Sequence, residues 1–505
     1  MNKNIILKKY LFRLLCCSFI ISTMVNCQSL KSDTSEGMIA DTRFFESDMF
    51  SLSKHPKAES PEALTRQNIL AQTDGLKNRL TKNPDDNETR LSYARKLFQL
   101  GDFSESKKII SPMLKGNEII PEAVYLSGQI EYITGNYKGA EDLFNKLRMR
   151  NFKDYYLKAE TGLLYTYYQT NQFNKAKNLT AALEEDGDKP LKEVMEAFKE
   201  TKPYNINWNG KSEAVVPFIA DEYLPAVSME VNGRKINAII DTGGDIFYLD
   251  ETVASSLNIK TISTVKGTYA GGISVETGYG KLDSISLNGV TIKSVPVILA
   301  PIKQFSAIYN NEIEIDGIIT TAILKQFLAT MDYPNSRLIL RPRNQAGRTL
   351  LQQYTSKYKK TKEVPFTLAT SHFMTAKGSI NGKESLNFFM DSGLASEKTG
   401  LILLEQTMSF TGIPMPKAQK KPDDLDNVGG LGGSDFEVSE FRINQFRLGD
   451  LPAEKNIWAE HGALEAAFNF EESRGFIIDG LVSHNFLKKY SWTIDFDRMK
   501  MIFSQ

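Results

Sequence analysis

The chain has 505 residues, of which 41% are hydrophobic and 24% are charged, with 61 basic and 61 acidic side chains. One ordinary core does not hold so many residues, so length and composition predict a globular protein of about two to four domains. The lack of a basic excess argues against a nucleic-acid partner, because binding phosphates requires surplus positive charge.

The N-terminus predicts an export signal. Four basic side chains accompany the apolar run LLCCSFIISTMV, which is too short to span a bilayer comfortably. All three cysteines lie at or before Cys27, and cleavage before Cys27 resembles bacterial lipoprotein processing, although the usual small residue is replaced by Asn26. We expect a signal peptide at 1–26, a lipid and hence a membrane anchor on Cys27, and a periplasmic or cell-envelope location. The alternative is a soluble secreted protein with one free thiol.

A polar segment and a helical repeat follow the signal. Residues 27–60 are rich in Ser, Asp, Lys and Glu and predict a flexible tether. Residues 61–205 have helical periodicity, with Gly101, Gly135 and Asn171 at one repeated turn, spaced 34 and 36 residues apart. The pattern resembles tetratricopeptide repeats. It predicts an all-α domain that offers a partner surface or acts as a spacer; an undefined helical bundle is the alternative.

The remaining residues predict two related β-rich regions. Short alternating segments with turns occupy 213–345 and 364–505, joined by a polar connection at 346–363. When Asp316 is aligned with Asp479, IDGIITTAILKQFLATMDYPNSRLIL matches IDGLVSHNFLKKYSWTIDFDRMKMIF without a gap. This correspondence predicts one duplicated β fold.

Each region also contains an Asp-Thr/Ser-Gly tripeptide after an apolar run. Asp241-Thr242-Gly243 follows INAII, and Asp391-Ser392-Gly393 follows LNFFM. An Asn-Gly turn precedes each tripeptide by about ten residues, and an Asp-Gly step follows each one downstream. Two similar half-sites with one Asp each suit a pair of carboxylates that share a proton.

On these motifs, each β-rich region resembles a retroviral-type (retropepsin-like) aspartic protease lobe. The resemblance implies a fused pseudo-dimer with Asp241 and Asp391 as the catalytic pair and no metal or organic cofactor. It implies that Thr242 and Ser392 cross-link the lobes and that Gly243 and Gly393 let the backbone approach the carboxylates. It also implies a substrate contact at Asp245 and two flap tips. The implied flap residues are Tyr269, Gly271 and Gly272 in the first lobe and Gly430 and Gly432 in the second.

Several alternatives stay open. Asp245 is equally well interpreted as a surface turn residue, and the flaps as ordinary glycine-rich loops. Thr320 and Ser483 stand where the family usually has a second glycine, and Ala395 stands opposite Asp245. The four histidines show no metal-binding spacing.

The sequence therefore predicts a helical repeat domain followed by two all-β lobes. The function expected first is that of an envelope-associated aspartic endopeptidase acting on a peptide or protein substrate. The same fold also suits a module that binds peptides without cutting them, or an assembly scaffold whose repeats dock an envelope protein.

Overall fold

The computed structural model describes residues 65–115, 118–179, 189–268, 274–396, 398–416, 439–461 and 475–505. The predicted signal peptide, the tether and Cys27 lie outside these ranges. Among the described residues, no helix has the length and apolar character needed to cross a membrane.

Seven helices form the N-terminal region that the structure describes. They are α1 (Arg66–Lys82), α2 (Asn87–Gln99), α3 (Phe103–Ile110), α4 (Pro121–Ile133), α5 (Tyr137–Met149), α6 (Lys153–Gln169) and α7 (Lys189–Glu196). Short 3-10 helices cover Ser111–Leu114 and Phe173–Asn178. The second helix of the third repeated unit is thus a 3-10 helix where the sequence pattern predicts an α-helix.

The three repeated turns share one backbone geometry. Gly101, Gly135 and Asn171 have φ values of 73°, 83° and 56°, which end each preceding helix in the left-handed region. In all three, the N–H of the next residue donates to a carbonyl five residues back at 2.8 Å, as in a Schellman motif. The repeated turn that the sequence predicts is thus a helix stop, while the assignment to tetratricopeptide repeats stays a prediction.

These three turns face the β-rich region. A side chain at Gly101 would overlap Asn387, and one at Gly135 would overlap Met499. The Asn171 side chain donates to Gln326 Oε1 at 2.9 Å. The helical region therefore packs directly on both β-rich regions, through the ends of its helices.

The first lobe contains eleven strands and two short helices in the described residues. The strands are β1 (Asn205–Asn207), β2 (Ala214–Ala220), β3 (Ala226–Val231), β4 (Arg234–Asp241), β5 (Phe247–Asp250), β6 (Thr261–Thr268), β7 (Ser274–Leu287), β8 (Val290–Ala300), β9 (Gly317–Thr320), β10 (Leu328–Asp332) and β11 (Arg337–Arg341). The helices are α8 (Glu251–Ser256) and α9 (Thr321–Leu324), with 3-10 helices at Ile302–Tyr309 and Tyr333–Asn335. Because β1 pairs with β8, this lobe begins before the predicted residue 213.

The second lobe follows a helix, α10 (Gln345–Thr355). Its strands are β12 (Thr361–Ala369), β13 (Phe373–Ile380), β14 (Lys383–Met390), β15 (Leu401–Leu403), β16 (Ser439–Leu448), β17 (Glu454–His461), β18 (Gly480–Val482), β19 (Ser491–Asp495) and β20 (Lys500–Ser504). Its helices are α11 (Glu405–Thr411) and α12 (His484–Leu487). The polar connection expected at 346–363 is helical as far as Thr355. Asn344 caps α10, and Leu351 and Tyr354 are buried along one side of it.

The duplicated segment has the same structure in both copies. Strands β9, β10 and β11 and helix α9 each begin 163 residues before β18, β19, β20 and α12 respectively. The two copies meet where β10 pairs antiparallel with β19, with Thr330 opposite Thr493 and their hydroxyls 2.6 Å apart. Six antiparallel strands join the lobes in the order β2–β11–β10–β19–β20–β12.

Candidate active site

A short parallel ladder places the aspartate of each tripeptide. In the first lobe, β4 pairs in parallel with β9, from Ala238 opposite Gly317 to Asp241 opposite Thr320. In the second lobe, β14 pairs with β18 over three residues, and the Asp391 N–H donates to the Val482 carbonyl at 3.0 Å. Each aspartate therefore stands at the C-terminal end of a buried strand whose register is fixed by its neighbour.

Thr242 and Ser392 hold the two tripeptides together. The Thr242 N–H donates to Ser392 Oγ at 3.0 Å, and the Ser392 N–H donates to Thr242 Oγ1 at 3.0 Å. Each hydroxyl also donates to a carbonyl just before the opposite aspartate, Met390 at 2.9 Å and Ile240 at 3.5 Å. Both side chains are fully buried, so the described structure links the two lobes directly beneath the aspartates.

The glycines allow the two carboxylates to come close. A Cβ atom at Gly243 would lie 2.6 Å from Asp391 Oδ1, and one at Gly393 would lie 2.2 Å from Asp241 Cγ. Neither glycine has a positive φ, so space rather than backbone conformation requires glycine here. Each carboxylate thus packs against the glycine of the opposite lobe.

The two carboxylates form one hydrogen-bonded unit. They share a side-chain hydrogen bond, and each also accepts from the glycine N–H of its own tripeptide, at 2.6 Å in the first lobe and 2.9 Å in the second. Burial raises the pKa of Asp241. Burial and the charge of Asp241 raise the pKa of Asp391 much further. The pair therefore favours a state in which the two carboxylates share one proton.

Asp245 lies in a buried polar cluster rather than on an open surface. It is 2% exposed, accepts a hydrogen bond from the Tyr248 hydroxyl at 3.4 Å, and burial raises its pKa to about 6. Burial lowers the pKa of Lys325, a neighbour of opposite charge, to about 7. The surface-turn interpretation of Asp245 is wrong because its side chain is buried, while a substrate contact stays a prediction.

Lys325 connects this cluster to the helical region. Its ammonium donates to Gln169 Oε1 at 3.1 Å and lies 4.2 Å from the Tyr168 ring centre. The Gln169 amide donates in turn to the Thr370 and Ser371 carbonyls of the second lobe, at 3.1 and 2.9 Å. One carboxamide at the end of α6 therefore contacts both lobes.

The hydroxyl residues that replace the expected second glycine have a structural role. Thr320 Oγ1 donates to the Asp245 carbonyl at 2.8 Å, and Ser483 Oγ donates to the Thr399 carbonyl. Their φ values of −112° and −88° suit any L-residue. Thr321 adds a further bond to the Thr242 carbonyl at 2.9 Å. These hydroxyls fasten the loop that follows each aspartate.

The flap predictions lie mostly outside the described residues. Strands β6 and β7 form an antiparallel hairpin with Thr268 opposite Ser274, which brackets the predicted first tip. Tyr269, Gly271, Gly272, Gly430 and Gly432 all fall outside the described ranges. Within those ranges, no group of three or more His, Cys, Asp or Glu side chains is arranged to hold a metal ion.

Sequence reasoning missed two kinds of site residue. Asn237 and Asn387 occupy equivalent positions four residues before each aspartate, and their backbone groups exchange hydrogen bonds with Asp316 and Asp479. The Asn in both apolar runs was a visible signal for them. Gln169 and Lys325 gave no such signal, because their contacts depend on how the helical region docks.

Comparison with known proteins adds two findings. A family model described as "Aspartyl protease" matches residues 227–323. Among solved structures, the chain is similar to a retropepsin-like aspartic protease from Rickettsia conorii, at 14% identity and a TM-score of 0.20, with 28% of this chain and 94% of that chain covered. The family match confirms the prediction of an aspartyl-protease-like first lobe. It contains Asp241 and ends before Asp391.

Proposed function

We propose that this protein is an aspartic endopeptidase whose active site is the carboxylate pair of Asp241 and Asp391. The observation that carries the proposal is the hydrogen bond between these two partly buried carboxylates, each packed on the glycine of the opposite lobe. A pair of this kind keeps one proton at a pH where isolated aspartates are both charged. The aspartyl protease family match over 227–323 supports the same assignment.

The shared proton gives the two carboxylates different roles. The charged carboxylate of the pair takes a proton from a water molecule, whose oxygen then attacks the peptide carbonyl carbon. The protonated carboxylate donates its proton to the carbonyl oxygen, which yields a tetrahedral diol. The carboxyl group that took the water proton passes it to the peptide nitrogen, while its partner takes a proton from one hydroxyl of the diol. The C–N bond then breaks, and a carboxylic acid and an amine are released. The Thr242 and Ser392 hydrogen bonds hold both carboxylates in place through these steps.

The wider setting is part of the same proposal. An export signal and a lipid on Cys27 would anchor the protein to the cell envelope, and the substrate would be an envelope peptide or protein. Neither lobe requires a metal or an organic cofactor for this chemistry.

Peptide binding without cleavage is the second candidate. The enclosed position of Asp245 favours it, because a substrate-contacting carboxylate of the family is here engaged with Tyr248 and the Lys325 cluster. The hydrogen-bonded carboxylate pair favours catalysis, since a binding cleft gains nothing from two aspartates that share a proton.

Cleavage of casein from pH 3 to 8 tests the proposal. Three samples are compared, all lacking residues 1–27. They are the otherwise unchanged protein, its Asp241→Asn variant and its Asp391→Asn variant. We expect cleavage by the first and a loss of about a thousandfold or more in each variant, because each lacks one acid–base group. Loss in only one variant would show that the lobes do not share one site. No cleavage at any pH by a folded protein, together with casein binding, would favour the second candidate.

A further inference from the structure

The helical region encloses the segment that leads into β18. The Ile477 N–H donates to the Gln99 carbonyl at 2.8 Å. The Phe476 ring meets the Phe103 ring edge-on at 5.1 Å, and Ile477 is packed in a buried cluster with Ile69 and Leu100. Helices α1 to α3 therefore fix the position from which β18 starts.

A buried ion pair lies at that starting point. Arg66, the first residue of α1, donates through Nε to Asp479 Oδ1 at 2.9 Å and through Nη2 to Asp479 Oδ2. Asp479 Oδ2 also accepts from the Asn387 N–H at 2.6 Å. Arg66 is 5% exposed and Asp479 is 1% exposed. Removing one partner would leave the other charge buried and unpaired, which is strongly unfavourable.

The pair stands at one end of the ladder that carries Asp391. The Asp479 N–H donates to the Asn387 carbonyl at 2.8 Å, and β14 and β18 pair over the next three residues. The last bond of this run is the one that the Asp391 N–H donates to Val482. A displacement of Asp479 therefore passes along this short ladder to the backbone of Asp391.

The first lobe has the same backbone arrangement, but no arginine in the part of the chain that the structure describes pairs with its aspartate. Asp316 and Asn237 exchange equivalent bonds, with the Asn237 N–H at 3.5 Å from Asp316 Oδ2. Burial raises the pKa of Asp316, and its cationic neighbour Lys303 forms its ion pair with Glu314 instead. Within the described ranges, the arginine pair is thus found in the second lobe and not in the first.

We propose that Arg66 is a positioning residue for Asp391, acting through Asp479 and the β14–β18 ladder. The helical region then completes the second half of the active site. The effect on catalysis rests on the proposed function, whereas the effect on the ladder does not.

Three variants test this proposal. Arg66→Met removes the charge and keeps most of the side-chain volume. Arg66→Met with Asp479→Asn removes both charges and keeps an acceptor for the Asn387 N–H. Lys303→Met is the matched control in the first lobe, because Lys303 is a cationic neighbour of the equivalent Asp316. Casein cleavage and amide hydrogen exchange are measured on each, well below its unfolding temperature.

For Arg66→Met we expect kcat to fall by about tenfold or more. KM should stay nearly unchanged, because Asp391 acts on the bound substrate. The amides of 388–391 should exchange about tenfold faster, while those of 238–241 keep the wild-type rate. The double variant should recover both properties, and Lys303→Met should change neither. Where Arg66→Met does not fold, Arg66→Lys replaces it, because lysine keeps the charge but lacks the second donor.

Two results separate the proposals. If the wild type cleaves casein and the folded Arg66 variant keeps wild-type kcat and exchange, the positioning role is overturned and the protease function stands. If the wild type cleaves nothing but the exchange pattern changes as expected, Arg66 positions Asp391 and the protease function fails.

Discussion

The two β lobes hold equivalent aspartates in equivalent ladders, but the helical region contacts them differently. In the second lobe, Arg66 forms a buried, bidentate ion pair with Asp479. In the first lobe, Gln169 accepts a hydrogen bond from Lys325, and no arginine among the described residues pairs with Asp316. The difference shows that a duplicated fold need not have duplicated supports. Here one helical region stabilises the two halves of one site by different interactions.

The two glycines offer the strongest way to break the symmetry of the site. Gly393→Ala places a Cβ 2.2 Å from Asp241 Cγ, and Gly243→Ala places one 2.6 Å from Asp391 Oδ1. Both should lower kcat/KM by about a hundredfold or more, since a small displacement of a catalytic group is costly. The Gly393 variant should be the weaker enzyme. Steady-state casein cleavage measures both, and an unchanged rate in either would mean that the carboxylates are not so close.

The Thr242–Ser392 link gives a second comparison. Thr242→Ala removes a donor at 2.9 Å to Met390 and the acceptor for the Ser392 N–H. Ser392→Ala removes the acceptor for the Thr242 N–H and a longer bond of 3.5 Å to Ile240. Leaving a buried N–H unpaired costs about 1–3 kcal/mol, so both should unfold at lower urea concentration.

Thr242→Ala should lose more stability than Ser392→Ala. Thr242→Ser is the control for the first variant, since it keeps the hydroxyl and should stay close to wild type. Equal losses in the two alanine variants would show that the bond lengths do not rank the two sides.

The polar cluster around Asp245 predicts a pH effect limited to the first lobe. Burial raises the pKa of Asp245 in the folded state to about 6, above its ordinary value of 3.8, so the folded state holds this proton more tightly than the unfolded chain. This tighter proton binding stabilises the folded state at low pH, and the stabilisation is lost as the pH rises from about 4 to about 6.

Asp245→Asn cannot titrate and should escape this loss. Relative to wild type it should gain up to roughly 3 kcal/mol in free energy of unfolding between pH 4 and pH 7, as a two-unit shift implies. Urea unfolding at both pH values measures the difference in free energy of unfolding between the variant and the wild type. The carboxylate pair titrates in both proteins, so its contribution cancels in this difference. Ala395 occupies the position in the second lobe that is equivalent to Asp245. Ala395→Ser is therefore the control, and we expect no such pH dependence for it.

Lys325 and Lys488, at aligned positions, give the smallest expected contrast. Lys325 is 3% exposed and bonded to Gln169, whereas Lys488 is partly exposed and donates to the Glu222 carbonyl at 3.4 Å. Lys325→Met should lower the free energy of unfolding by about 1–2 kcal/mol near pH 7, because it leaves Gln169 Oε1 unpaired. Lys488→Met should stay within about 0.5 kcal/mol of wild type. Thermal unfolding of the two variants side by side checks the ranking.

Much of the fold was predictable from local patterns. The alignment of Asp316 with Asp479 predicted a duplication, and the strands and helices of the two copies begin at aligned residues. The repeated turns at Gly101, Gly135 and Asn171 were also visible, because a helix stop requires a residue that tolerates positive φ. The helix Gln345–Thr355 was not predicted, since its buried Leu351 and Tyr354 stand among polar residues that resemble a loop.

The sequence by itself determined the two Asp-Thr/Ser-Gly half-sites, since short motifs, turn residues and strand periodicity are properties of neighbouring residues. Only the tertiary structure decided that Asp241 and Asp391 share a hydrogen bond, and that Asp245 is enclosed. It also decided that Arg66 pairs with Asp479, which is 413 residues away along the chain. Contacts over such separations follow from how whole elements pack, and no local pattern in the chain records that packing.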